Sequence, residues 1–375
     1  MKLYVYLILT FIISMLIFCT HEKYPLPSIP PEGERFTLGV GRYVQINPAL
    51  DAAHGYDFNN PSDIYYGTDN FIYIADTDNN RIVMMDLGGA IQGYSQPIPH
   101  PEAISQNDSL QLMIVNNTNR IYRIDLVKYN HIIANAPVEL VYQQSAEPSR
   151  KFTGISVWNR FDYYVTVIDT ADSSTNYQAF SFIYDFNGNN TLKGPLPLNV
   201  NGTGLYSAIV PTGIVSLREK YLDISSRETT PEFMFCQSGK TSLLRNNFKV
   251  QSVSTFISEG RLFLTPNTSF IGTDIYNVDK YYFPEDVAID RSGFMFVVDK
   301  GRDIADPDTT KPAPGFYRFA SNGNQLQAVI GGGSGVSQFK SPKGIAVSPF
   351  EEAQIVYIAD TGNDRVLLFT LSTQF

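Results

Sequence analysis

Charged side chains that could form a binding site recur at matched places in this chain. Asp63, Glu102, Glu285, Asp286 and Lys343 each follow a proline by one or two positions, in Pro61-Ser62-Asp63-Ile64, Pro101-Glu102-Ala103-Ile104, Pro284-Glu285-Asp286-Val287 and Pro342-Lys343-Gly344-Ile345. Phe152-Thr153-Gly154-Ile155 and Pro211-Thr212-Gly213-Ile214 repeat the pattern with hydroxyls. Gathered in space, Asp63, Glu102, Glu285 and Asp286 could bind a cation such as calcium. With Ser62, Thr153, Thr212 and Lys343 they could hold a sugar or a polar peptide group. They can cooperate only if the fold brings distant segments to one point.

Other reactive residues are thinly spread. The four histidines are His21, His54, His100 and His131, so none falls in the later half of the chain and no His ligand set can be drawn from all the copies. His100 precedes Pro101 and is a candidate to face a shared opening. Cys236 ends the apolar run Phe233-Met234-Phe235-Cys236 and reads as a buried, inert thiol. No Gly-x-Ser-x-Gly elbow occurs. Gly331-Gly332-Gly333-Ser334-Gly335 lacks the Lys-Ser/Thr of a phosphate loop and reads as a connector. Asp303, Asp306 and Asp308 lie among Pro307, Pro312 and Pro314, which reads as a solvated loop. Trp158 and Phe161 flank a turn and are expected to pack on the core.

The elements that would position the recurrent residues are strands. Phe71-Ile72-Tyr73-Ile74-Ala75-Asp76-Thr77-Asp78-Asn79-Asn80-Arg81-Ile82 follows the first anchor, and Ile355-Val356-Tyr357-Ile358-Ala359-Asp360-Thr361-Gly362-Asn363-Asp364-Arg365-Val366 follows the last. Each reads as an apolar strand, a polar turn and a second strand. Weaker copies end in Val115-Asn116 with Arg120, in Tyr163-Tyr164-Val165-Thr166-Val167, in Phe233–Cys236 and in Val298-Asp299. The strand-ending Asp76, Asp299 and Asp360, or Asn116, are expected to cap turn amides and, where Arg81, Arg120 or Arg365 is present, to pair with it. Asp76–Asn80 lacks the Gly and the distal Glu of an EF-hand.

The stretches at 74–82 and 358–366 resemble NHL repeats, and the copies together span residues 61–375. The resemblance implies an all-β fold, a β-propeller with one four-stranded sheet per blade, and six anchors imply six blades. In such a ring the residue after each anchor lines one central mouth, so Ser62, Glu102, Thr153, Thr212, Glu285 and Lys343 would converge there with Asp63 and Asp286. An internal Lys343–Glu285 pair is the plain expectation for such a rim. Too little chain follows Pro342 for a fourth strand. Residues 36–46 are therefore expected to supply the outer strand of the last blade and close the ring.

The remaining features concern location. An apolar run from Leu3 to Phe18 follows the single charge of Lys2 and reads as a signal peptide over 1–18, with a Pro-rich tether over 19–35 and the propeller over 36–375. Leu16-Ile17-Phe18-Cys19 resembles a bacterial lipoprotein signal, which implies lipidation at Cys19 and a membrane reached through the N-terminal lipid only. Without Cys19, Cys236 has no disulfide partner. The chain holds 28 Lys and Arg against 37 Asp and Glu, a formal charge of −9, with no basic stripe for a phosphate backbone, so nucleic acid is not an expected partner. These readings lead to an exported, lipid-anchored, non-catalytic platform for a protein or polysaccharide of the cell envelope, with no cofactor. The alternative is a calcium-dependent hydrolase resembling the lactonases and gluconolactonases, its ion at the channel mouth.

Overall fold

A computed structural model describes residues 41–171, 181–198, 205, 207–220, 230–238, 248–349 and 354–372. The expected signal peptide, the tether and Cys19 lie outside these residues. The described chain forms six antiparallel sheets of four strands. Five sheets use consecutive strands, and the sixth combines the last three strands with the first.

The inner strands of blades 1 to 6 are Pro61–Tyr66, Ala103–Gln106, Arg150–Asn159, Pro211–Ser216, Pro284–Ile289 and Gly344–Val347. All six begin at or within two residues of an anchor motif. Each packs against the inner strands of the blades on either side, and blade 6 returns to blade 1, which closes the ring. Alternation explains the packing, because one side of each sheet meets the preceding blade and the other side the next. Each apolar cluster accordingly spans two neighbouring blades. One joins Ile74 and Val83 of blade 1 to Tyr357 and Leu368 of blade 6, and another joins Tyr164 of blade 3 to Phe233 and Phe235 of blade 4.

Closure uses a strand later in the chain than the sequence suggests. The outer strand of blade 6 is Tyr43–Leu50, paired antiparallel with Arg365–Leu371. Its register runs from Tyr43↔Leu371 to Ile46↔Leu368, shifts, and resumes at Leu50↔Val366. Pro48, which has no amide to give, sits in that irregularity, and this is why a strand can run through a residue that reads as a stop. Residues 36–40, the start of the expected strand, lie outside the described residues. Tyr43 locks the join by donating its hydroxyl to Gln354 at 2.7 Å and packing edge-on against Phe316 at 5.5 Å.

Strand direction defines two faces. Inner strands start at the mouth face and end at the opposite face, where the turns at 67–70 and 290–293 lie. Tyr43 pairs with Leu371, at the end of its strand furthest from the mouth, so the chain enters the ring from the face opposite the mouth.

Candidate binding site at the channel mouth

The eight residues expected at the mouth line one cavity of about 280 Å³ on the ring axis. Below them the fourth position of every anchor adds Ile64, Ile104, Ile155, Ile214, Val287 and Ile345, an apolar collar under a polar rim. The signal for this collar is the Ile or Val that recurs at the fourth position of every anchor.

The second anchor position divides by chemistry. Ser62 Oγ donates to the Pro101 carbonyl at 3.1 Å, Thr153 Oγ1 to the Pro211 carbonyl at 2.7 Å and Thr212 Oγ1 to the Pro284 carbonyl at 3.0 Å. In blades 1, 3 and 4 this position therefore stitches one blade to the anchor of the next. Thr361 Oγ1, donating to the Pro61 carbonyl at 2.7 Å, does the same between blades 6 and 1, and Thr77 Oγ1 reinforces Ser62 by donating to the Pro101 carbonyl at 2.8 Å. These two threonines belong to the repeated Asp-Thr turn, and their role between blades was not foreseen. In blades 2, 5 and 6 the position is charged instead. Lys343 Nζ lies 3.2 Å from Glu102 Oε1 and bonds to it, so the rim's ion pair is Lys343–Glu102 and not the expected Lys343–Glu285. Glu102 belongs to blade 2 and Lys343 to blade 6, so the pair bridges non-adjacent blades.

Burial pushes the Glu285 carboxyl up to about 7, against the opposing pull of Lys343 and Lys300. Burial would also lower the Lys343 ammonium, but Glu102 and Glu285 outweigh it and hold the pKa above its ordinary value. The mouth thus offers a fixed cation, a carboxylate bound to it, and a second carboxyl that changes charge near neutrality.

Asp63 and Asp286 reach the same cavity but serve the scaffold. Asp63 Oδ1 accepts the Ile64 amide and Oδ2 the Ile104 amide of blade 2, both at 2.7 Å. Asp286 Oδ1 accepts the Val287 amide at 2.8 Å and Oδ2 the Ile345 amide of blade 6 at 3.2 Å. Each carboxyl therefore staples its blade to the next one. The ladder slips beside each, between Pro61 and Asp63 and between Pro284 and Asp286, which turns the side chain along the ring. Glycine in the preceding blade makes room: a Cβ on Gly213 would stand 2.3 Å from Asp286 Oδ1, and one on Gly344 would stand 2.6 Å from Asp63 Cα. Burial raises both carboxyls, Asp63 to about 7 and Asp286 well above its usual range with Asp63 adding to the effect. Ser105 and Ser156 extend the stapling, accepting the amides of Val157 and Ser216 in the following blades at 3.0 and 2.8 Å.

This arrangement does not suit calcium. The ion takes six to eight oxygen ligands and favours ionised carboxylates. Of the four candidates, Asp63 and Asp286 have both oxygens turned to amides, and Glu102 is held by an ammonium. Among the described residues no group of three or more His, Cys, Asp or Glu side chains is placed to hold a metal ion.

The strand-ending acids do what the sequence predicts and take a further partner as well. Asp76 Oδ2 takes Arg81 Nε, and Asp360 Oδ2 takes Arg365 Nε, both at 2.8 Å, as the sequence predicts. The same oxygens cap the turn, accepting the side-chain amide of Asn79 at 2.9 Å and of Asn363 at 2.8 Å, while the other oxygens reach outside it. Asp76 Oδ1 accepts the Asn59 amide at 2.8 Å and Asp360 Oδ1 the Lys340 amide at 2.7 Å, each two residues before an anchor. Asp299 caps the Gly301 amide of its own turn at 2.9 Å, and at the same offset before an anchor Asp299 accepts the Tyr282 amide and Gln237 the Ile209 amide, both at 2.7 Å. The acid thus fixes the approach to its own blade's inner strand. Asn116 forms no pair with Arg120. Its amide donates to the Pro99 carbonyl at 3.0 Å, and Arg120 Nε is buried without a hydrogen-bond partner.

Other sequence candidates take structural places. His100 is exposed, lies 3.5 Å from Asp78, and does not line the cavity. Cys236 is fully buried, and burial pushes its thiol up. Trp158 stacks on Tyr164 at 5.5 Å and donates to Asp185, whereas Phe161 is exposed. Lys311 pairs with Asp306 at 2.7 Å across the 302–314 loop.

The model of the NHL repeat matches residues 58–83, the approach to blade 1 and its first strands. No curated protein matches the sequence. Among solved structures, a putative gluconolactonase shares 9% identity at a TM-score of 0.55, covering 88% of this chain and 92% of its own. A gluconolactonase from Xanthomonas campestris shares 10% at 0.54, covering 89% and 99%. Regucalcin from Agrobacterium tumefaciens, a calcium-binding protein, shares 9% at 0.54, covering 88% and 93%. Identities this low establish a common fold only. The chain is a six-bladed β-propeller with an NHL repeat in its first blade.

Proposed function

We propose that the propeller is a binding platform that captures a polar group of a protein or polysaccharide partner at the channel mouth, without chemical conversion. The observation that carries this reading is the division of labour at the rim. Asp63, Asp286 and the hydroxyls of blades 1, 3 and 4 are committed to joining blades, which leaves Lys343, Glu102 and Glu285 to meet a ligand over an apolar collar. A donor beside two acceptors suits hydroxyls or peptide groups. Export and a lipid anchor at Cys19 belong to the same proposal and place the partner in the cell envelope.

The second reading is a hydrolase of the lactonase type. What favours it is Glu285, a carboxyl raised to about 7 in a concave site beside an ammonium, poised to move a proton near neutral pH. The donor set described above speaks against calcium in that role. Capture from an envelope extract separates the two readings. Wild type should retain a stoichiometric partner that Lys343→Met with Glu102→Gln loses, and recovery of the same proteins by both forms would overturn the platform. Calcium titration should leave the melting temperature unchanged, and a marked rise would restore the ion-dependent reading.

A further inference from the structure

The face opposite the mouth carries a projection that ring closure does not need. In blade 4 the third strand, Val250–Ser258, pairs with the second strand only from Val250 to Val253. Beyond that point, among the described residues, it pairs only with the fourth strand, Arg261–Pro266, from Ser254↔Thr265 to Ser258↔Arg261. Five further residues at ~3.3 Å each form a two-stranded arm reaching about 17 Å past the edge of the blade. Its root is tied down where Glu232 accepts the Thr255 amide at 3.0 Å. Its tip turns through Glu259 and Gly260, both with positive φ, the geometry of a tight hairpin.

The arm is apolar on both sides. Phe256 and Phe263, 48% and 44% exposed, stack across the strands at 5.3 Å, and Ile257, 74% exposed, points to the other side because side chains alternate. A hairpin resting on the ring would keep one side polar, and an isolated one is marginal in water. Among the described residues Phe161, Ile132 and Ile271 are also exposed at this face, and Ile304, Ile330 and Val336 on the mouth side.

The occupant follows from where the rest of the chain leads. The strand beginning at Tyr43 enters the ring from this same face, and the sequence before it carries the apolar run Leu3–Phe18. In the lipoprotein reading that run is the signal and Cys19 carries the anchor, and a bilayer holding Cys19 lies within reach of segment 19–42, on the order of 80 Å if fully extended. We infer that the Phe256–Phe263 arm rests in the interfacial layer of a lipid bilayer, seating the propeller with its mouth turned away from the membrane. The polar tip, Ser258, Glu259 and Arg261, keeps the arm lying along the interface, with Arg261 at the level of the phosphates. The bilayer rests on the proposed export and lipid anchor, but mouth and arm occupy opposite faces, so capture at the mouth and seating of the arm are tested separately.

The test uses the full chain with Trp158→Phe and Phe256→Trp, reconstituted into phosphatidylcholine–phosphatidylglycerol vesicles with brominated acyl chains. The introduced indole should be quenched several-fold more by the bromolipid than by aqueous iodide, and Val336→Trp on the mouth face should show the reverse. Quenching of Phe256→Trp by iodide alone, or equal behaviour of the two sites, would overturn the assignment. Protection from both quenchers would also overturn it, pointing to a protein partner on the arm. Phe263→Trp repeats the measurement from the facing strand, so misfolding of one variant does not decide the outcome.

Discussion

The two halves of the mouth rim are built on the same six-fold position and do different work. In blades 1, 3 and 4 that position is Ser62, Thr153 or Thr212, and its hydroxyl is spent on the next blade's Pro101, Pro211 or Pro284 carbonyl. In blades 2, 5 and 6 it is Glu102, Glu285 or Lys343, and the charges face the opening. A short hydroxyl reaches only its neighbour, whereas a long charged chain reaches across the axis. Side-chain length therefore decides whether a repeated position stabilises the ring or serves a ligand.

Removing a staple should have the largest effect on this contrast. Asp286→Ala leaves the buried Val287 and Ile345 amides unsatisfied and should cost about 3 kcal/mol in urea unfolding, a loss at the scaffold rather than at the ligand. An unchanged midpoint would mean that the carboxyl is not joining blades 5 and 6.

Glu285 should behave in the opposite sense. Its carboxyl rises from 4.5 to about 7 on burial, so the folded chain holds the proton more tightly than the unfolded one. That contribution is fully present below pH 4.5 and is lost as pH rises through 7. Glu285→Gln should stabilise the ring by on the order of 2 kcal/mol at pH 8 and by little at pH 4, read from paired melts. Asp63, also raised to about 7, leaves a residual slope in the variant.

Thr212→Val sharpens the comparison on the structural side. Losing one bond between blades at 3.0 Å should lower stability by about 1 kcal/mol at every pH, measurable by urea unfolding. The smallest stability effect belongs to the charged half. The Lys343–Glu102 pair is partly exposed, so Lys343→Met should change the unfolding free energy by less than about 1 kcal/mol while abolishing partner capture. A large loss of stability here would make the ion pair scaffold as well and erase the distinction.

Much of this was legible before any coordinates. The anchors at Pro61, Pro101, Phe152, Pro211, Pro284 and Pro342 each lead into an inner strand, because strand periodicity and a repeated turn are local properties of the chain. The eight mouth residues could be named since a ring places equivalent positions at one end. Their roles could not be read, because Asp63 and Glu285 look alike in sequence as carboxylates after an anchor. Only the gap left by Gly344 beside Asp63 and the ladder slip at Pro61 turn the first toward an amide.

By itself the sequence determined the number of blades, the positions that converge and the Asp–Arg pairs of the first and last repeats, all of which follow from short-range pattern multiplied by repetition. Tertiary structure decided which partner Lys343 takes, where the closing strand begins and which face bears an apolar arm. Those outcomes depend on distances between segments hundreds of residues apart in the chain, and such distances are set only once the blades have packed.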